Sequence, residues 1–299
     1  MPASKIPLYS ALFANIAIAV TKFIAAGVTG SSAMISEGIH SVVDSANEIL
    51  LLYGIKRSKK TADENRPFGY GKELYFWAFI VSILIFAIGG GISFYEGVSH
   101  IQHPAKIEDP HWNYIVLGIA IVLDGFSFIT ALKEFKRQRG STPFWKAVKK
   151  SKDPSTFVVL FEDAADVLGL IVAFLGVYLG HRFNDPLFDG IASIVIGFIL
   201  ASIAIMLARE SRSLLMGESA DKQTLADVIK LTEHNPAVEK VFPPLSMYLS
   251  PEEIFLVLKV IFKQDLQGKE ITQAADDIKE LIKTHFPSIK QIFIEPESA

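Results

Sequence analysis

Long apolar runs restrict this chain more than anything else in it. Inside a hydrocarbon core about 30 Å thick a backbone must satisfy its own hydrogen bonds, and a helix of about 20 residues is needed to span it. Windows of that kind fall at 7–28, 33–56, 73–98, 112–136, 155–180 and 186–208, and they predict six transmembrane helices. Between the third and fourth, HIQHPAKIEDPHW is interrupted by Pro104 and Pro110 and reads as an aqueous loop. The fifth span starts after Asp153-Pro154-Ser155 and the sixth after Asn184-Asp185-Pro186. Leu8 to Val28 contains Asn15 and Lys22 and is followed by further spans, so it reads as an uncleaved first helix despite the small residues Ala25-Ala26-Gly27.

Orientation follows from Lys and Arg. The 2-to-3 connection carries Lys56, Arg57, Lys59, Lys60, Arg66 and Lys72, and the 4-to-5 connection carries Lys133, Lys136, Arg137, Arg139, Lys146, Lys149, Lys150 and Lys152. The loops on the other side hold Lys106 and Arg182. The positive-inside rule then puts both basic connections and both termini in the cytoplasm; a prokaryotic cytoplasmic membrane is the expected location. A net charge of -3 leaves no basic excess for a phosphate backbone, so no nucleic-acid partner is expected. Zero cysteines exclude disulfides, thiolate metal sites and cysteine nucleophiles.

The second span is too polar for its place. SEGIHSVVDSANEILLLYG puts Glu37, His40, Asp44, Asn47 and Glu48 into an apolar run. A carboxylate at a bilayer centre costs roughly 2.5–3.5 kcal/mol on insertion scales. Residues three and four apart share a helix face, so Glu37, His40, Asp44 and Asn47 or Glu48 form one stripe. In the fifth span FEDAADVLGLIVAF supplies Glu162, Asp163 and Asp166, and Glu162 to Asp166 repeats the His40-to-Asp44 spacing. Side by side, the two helices can present one imidazole and three carboxylates to a common point, the ligand number and type of a tetrahedral divalent-cation site. Glu37 and Glu48, nearer the ends of their span, either reach water or pair with Lys22 or a basic loop, or else line the cation or proton route. Asp163 lies about 100° round the helix from Glu162 and is open to three roles: ligand, supporting partner or proton carrier. Asp124 in the fourth span reads as a cavity residue or a proton relay, and Asn15 as inter-helix glue. His100, His103 and His111 read as solvated loop residues.

After Arg209 the pattern becomes that of a soluble domain. Residues 221–234 read as a helix, VEKVFPPLSMYL and EEIFLVLKVIF as strands parted at Ser250-Pro251, 270–285 as a helix and IKQIFIEP as a last strand. This α-β-β-α-β order predicts a cytoplasmic α+β ferredoxin-like domain over 209–299, behind an α-helical transmembrane domain over 1–208. His234 and His285 sit where helices should end and suit the dipole there.

HSVVD on the second span, RPFGYGKE before the third, the paired acids of the fifth, DPLFDGIASIVIGFIL on the sixth and the α-β-β-α-β tail together resemble the cation diffusion facilitator family of metal/proton antiporters. The motifs are nearest to the branch that contains the ninth-type mammalian zinc transporter and bacterial relatives. The resemblance covers essentially the whole chain. It implies a transport site of His40, Asp44, Glu162 and Asp166, with Glu162 where zinc-transporting members commonly have His. It implies a homodimer held by the tail, with Lys72 at a position that pairs with an acid near the membrane surface in some relatives; Glu210 or Glu218 is the candidate partner. Regulatory metal sites of the family's tail place His on the two later strands, where this chain has Phe, Leu and Ile.

The function these residues and the resemblance imply is efflux of a divalent cation, Zn2+, Mn2+, Fe2+ or Co2+, by proton antiport and alternating access. Helices 1, 2, 4 and 5 would rock against a core of helices 3 and 6. No organic cofactor is expected. Three carboxylates with one imidazole make a harder site than two of each, which moves the expectation from Zn2+ toward Mn2+, Fe2+ and Co2+. Two other classes compete. A transport-incompetent membrane scaffold or regulatory partner would bind metal weakly. An intramembrane metallohydrolase would need a general base beside an open metal position, and no HExxH-like pair is present.

Overall fold

A computed structural model of the 299-residue chain describes residues 6–104 and 110–298. Lys5 and Lys106 lie outside the described residues, as does the whole KIED segment of the third-to-fourth loop. Two compact units are present: 1–56 with 76–211, and 57–75 with 212–299.

The first unit is helical. Its elements are α1 (Ile6–Thr29), α2 (Ser32–Ser58), α3 (Glu73–Leu84), a π-helical turn (Ile85–Gly90), α4 (Gly91–Gln102), α5 (Pro110–Arg139), α6 (Phe144–Lys150), α7 (Pro154–Phe183) and α8 (Leu187–Met216). Three helices among the described residues are both long and apolar enough to cross a membrane: Glu73–Gln102, His111–Arg137 and Leu187–Met216, with mean hydropathies of 2.2, 2.3 and 2.7. At 27 and 30 residues α2 and α7 are as long, about 40 and 45 Å, but they carry the polar stripe. Val122, Phe126 and Phe198 stand 70%, 74% and 60% exposed on the outside of the bundle, which suits lipid and not water.

Small residues let the helices approach. An added Cβ at Gly97 would lie 2.6 Å from the Gly190 carbonyl oxygen, and one at Gly197 would lie 2.9 Å from that of Gly90. The two pairs repeat at a spacing of seven on antiparallel helices, so α4 and α8 touch backbone to backbone, the packing expected where no hydrophobic effect drives association. The π-turn ends at Gly90 and leads directly into α4. On the other side of the unit, α5 packs along α7 and α1.

In the second unit, α9 (Lys222–Glu233) is capped by Asp221, whose side chain accepts from the Gln223 and Thr224 amides. β1 (Val238–Val241), β2 (Leu245–Ser250), β3 (Glu253–Phe262), α10 (Gly268–His285) and β4 (Ile289–Pro296) follow. β3 is central. β4 runs parallel to it on one edge, and β1 and β2 lie antiparallel, end to end, along the other. The stretch VEKVFPPLSMYL is therefore two strands and not the single one expected, because Pro243 and Pro244 have no N–H to give the ladder. Leu256, Leu258 and Val260 of β3 pack with Val228 of α9 and Ile278 and Ile282 of α10 in the core. His234 and His285 close their helices as expected, donating from Nδ1 to the Lys230 and Leu281 carbonyls at 2.6 and 2.9 Å.

The 57–75 segment belongs with this sheet. Gly71 sits against the β2 backbone, where a Cβ would come within 2.5 Å of the Leu249 carbonyl oxygen, and Phe68 meets Phe255 edge-on at 5.5 Å. Within the segment the Tyr70 hydroxyl donates to Asp63 at 2.6 Å while Lys60 and Arg66 lie 4.4 and 4.8 Å from its ring. The Tyr70 hydroxyl and then the Lys60 ammonium, which is 2.9 Å away, hold the Asp63 carboxyl down at about 2. Lys72 Nζ lies 3.8 Å from Met247 Sδ.

Candidate metal centre

α2 and α7 run antiparallel and meet level by level. Glu37 faces Gly169, His40 faces Asp166 and Asn47 faces Glu162. A Cβ at 169 would run into the Glu37 carboxylate, so a larger residue there would have to displace that side chain. At the middle level His40 Nε2 lies 3.0 Å from Asp166 Oδ1 and Nδ1 lies 3.3 Å from Asp44 Oδ1. One ligand atom from each of His40, Asp44 and Asp166 falls within 4.8 Å of the others. Both His40 ring nitrogens and an oxygen of each Asp are buried without an aligned hydrogen-bond partner. Buried polar atoms are normally satisfied, so a cluster of unsatisfied ones converging on a point suits a cation.

Glu162, expected as the fourth member, stands one turn away and is not in this group. Its Oε1 accepts from Asn47 Nδ2 at 2.8 Å, and the residue is buried. Asp163 accepts from Ser127 of α5 at 3.0 Å. With Asp124 it lines a small polar cavity that also touches Asp44 and Asp166. A larger cavity of about 250 Å³ reaches from Asp44, Asp163 and Asp166 past Glu48 to Ile55 and Val159, toward the ends of α2 and α7 that adjoin the basic connections. Asn15 borders both cavities.

Glu37 lies outside this cluster. It pairs at 3.1 Å with Lys22 of α1, which also donates to Ser41 Oγ at 2.8 Å, and both charged side chains are 0% exposed. His100 corrects the sequence reading: it is buried at the end of α4, 3.9 Å from Asp189 of α8, because that end of α4 is packed against α8 and not looped into solvent. His103 is exposed. His111 is exposed and lies edge-on to Tyr114 and His181. Asn47, Ser127 and Asp189 were legible in the sequence only as polar residues in apolar runs; nothing local names their partners on other helices.

A bundle of long apolar helices that keeps titratable, ligand-type side chains inside it defines an integral membrane protein built around an internal polar site. The family model described as the cation efflux transmembrane domain matches residues 8–216, and the chain belongs to that family, the cation diffusion facilitators. It is similar to the mouse protein named proton-coupled zinc antiporter SLC30A9, mitochondrial, at 32% identity over 268 residues, 87% of this chain and 47% of the relative. It resembles metal tolerance protein C4 of Arabidopsis thaliana at 29% identity, covering 88% of this chain and 57% of that protein. A third relative is the manganese efflux system protein MneP of Bacillus subtilis, at 23% identity over 95% of this chain and 92% of that one. The chain thus spans about half the length of the first two relatives.

Proposed function

We propose that the chain is a secondary transporter, not an enzyme, that exports a divalent transition-metal cation in exchange for protons. The observation that carries this is the convergence of His40, Asp44 and Asp166 within 4.8 Å between α2 and α7, with His40 buried and the two carboxylates half-buried. These three are the ligands in this reading, and Glu162 becomes the fourth when it exchanges the Asn47 amide for the cation. Relatives named for zinc and for manganese support a borderline-to-hard cation, and the carboxylate-rich set suits Zn2+, Mn2+, Fe2+ or Co2+.

Coupling to protons follows from ligand chemistry. A carboxylate or imidazole must shed its proton to hold metal, so protons arriving from the far side displace the cation and discharge the empty site for its return. Asp163 and Asp124, in the adjoining polar cavity, are placed to pass those protons. Six helices, α1, α2, α3 with α4, α5, α7 and α8, cross the membrane in this reading, with both termini and the basic connections in the cytoplasm. The 250 Å³ cavity then opens the site to the cytoplasm, with Glu48 at its rim. Residues 1–208 carry transport, and 209–299 form a ferredoxin-like dimerisation domain with Lys72 near the contact.

Proteoliposome flux with a panel of Zn2+, Mn2+, Fe2+ and Co2+ under an imposed pH gradient tests the proposal. Metal-driven proton movement that Asp44→Ala abolishes is the expected result. Wild-type protein that moves no protons with any of these metals, or full flux in Asp44→Ala, would overturn it.

A further inference from the structure

α2 begins at Ser32, and the first backbone N–H groups of a helix have no partner inside it. All four are satisfied here. Ser31 N, at the N-cap, donates to Thr29 Oγ1 at 3.4 Å and Met34 N to Ser31 Oγ at 3.2 Å. The middle two go to another helix: Ser32 N and Ala33 N donate to Asp189 Oδ2 of α8, at 2.5 and 3.3 Å. The same carboxylate accepts from Ser32 Oγ at 3.0 Å and, through Oδ1, from Ser31 Oγ at 2.6 Å. Ser32 Oγ lies 2.9 Å from Ser193 Oγ, one turn further along α8. Asp189 and Ser193 are 0% exposed, so bulk solvent does not reach these bonds.

Three placements give this cluster a role. It joins α2, which carries His40 and Asp44, to α8, which the glycine contacts fasten to α4. It lies at the end of α2 away from the basic connections, about 18 Å of helix from Asp44. The cavity at the site extends the other way, toward Ile55 and Val159. Access to the site and the Asp189 cluster are therefore at opposite ends of α2.

We propose that Asp189 is a positioning residue that holds shut the face opposite the basic connections by capping α2, and that the site reaches that face only when α2 leaves it. This deepens the transport reading and rests on it for its purpose. A charge-assisted cap at a helix N-terminus is strong while dry. Water can replace the carboxylate at the same N–H groups once the face opens, so the cluster favours two discrete states, docked and hydrated, over intermediates.

The absence of cysteine makes a direct test available. In the full chain in proteoliposomes, Ser32→Cys with Ser193→Cys places two thiols where the hydroxyls touch. Oxidation is expected to cut Zn2+ flux at least tenfold, with recovery on reduction and unchanged Zn2+ affinity in the oxidised form. Equal flux in the two redox states would overturn the proposal. A second measurement needs no cargo: a Ser36→Cys reporter, which lies between the cluster and the site, is labelled by a membrane-impermeant thiol reagent from the face opposite the basic connections. Adding Asp189→Ala is expected to speed labelling at least tenfold, and an unchanged rate rejects the role of Asp189. Flux absent in both redox states would count against transport itself, leaving the labelling rate to decide on Asp189.

Discussion

Asn47 of α2 holds Glu162 of α7 by a 2.8 Å hydrogen bond, and in doing so keeps it one turn away from the His40–Asp44–Asp166 cluster. The acids of α7 are therefore unequal. Asp44→Asn and Asp166→Asn should each weaken binding of Zn2+ or Mn2+ about 100-fold, roughly 2.7 kcal/mol. Glu162→Gln should cost about tenfold. Calorimetric titration of purified protein checks the order; a loss from Glu162→Gln as large as that from Asp44→Asn would show that Glu162 is a ligand from the outset.

The Lys22–Glu37 pair is fully buried, and removing one partner strands the other charge. Lys22→Met should destabilise the folded protein by about 3–5 kcal/mol, and Lys22→Met with Glu37→Gln should restore most of that. Thermal unfolding in detergent reports both. A double variant no more stable than Lys22→Met would mean that Lys22 matters through packing alone.

Glycines of the bundle separate by what surrounds them. Gly97→Ala should cost about 1–3 kcal/mol, because its Cβ meets the Gly190 carbonyl. Gly118→Ala, with nothing within 4 Å, should be neutral or stabilising by about 0.5 kcal/mol. The same unfolding experiment compares them, and equal shifts would argue against close α4–α8 packing.

Asp63 gives a pH signature outside the membrane. Its carboxyl is held at about 2, below the ordinary value of about 3.9, by the Tyr70 hydroxyl and the Lys60 ammonium. A depressed carboxyl contributes its stabilisation above the unfolded value and loses it as pH falls from about 4 through about 2. The Tyr70 contacts should thus be indifferent to pH between about 5 and 8. In Tyr70→Phe the Asp63 midpoint should climb toward 3.9, measured by carboxyl NMR; an unmoved midpoint would remove the hydroxyl as the cause.

Helix positions were readable from the sequence because lipid forces long apolar runs, and the polar stripe was readable because it breaks them. α2 and α7 fall within a few residues of windows 33–56 and 155–180. The pairing of Glu37 with Lys22 was one of the alternatives open for Glu37, since Lys22 is an isolated cation in an apolar run. What stayed hidden depends on contacts between distant segments. His100 looks like a loop residue until α8 is laid against it, and Asp189 looks like an ordinary first-turn acid until α2 ends beside it. VEKVFPPLSMYL reads as one strand across Pro243-Pro244, and its division into two shows only once both halves are paired with β3.

The segment 57–75 packs with the carboxy-terminal sheet through Gly71, Phe68 and Tyr70, although it lies in the chain between α2 and α3. The polypeptide therefore passes between the two units three times, not once. Cutting the chain at residue 212 would not release a clean module: it would strip Phe68 of its aromatic partner and leave a bare, basic loop on the truncated protein. Chimeras that exchange the tail between relatives should transplant 57–75 along with it, because these two stretches form a single exchangeable part even though they are far apart in sequence.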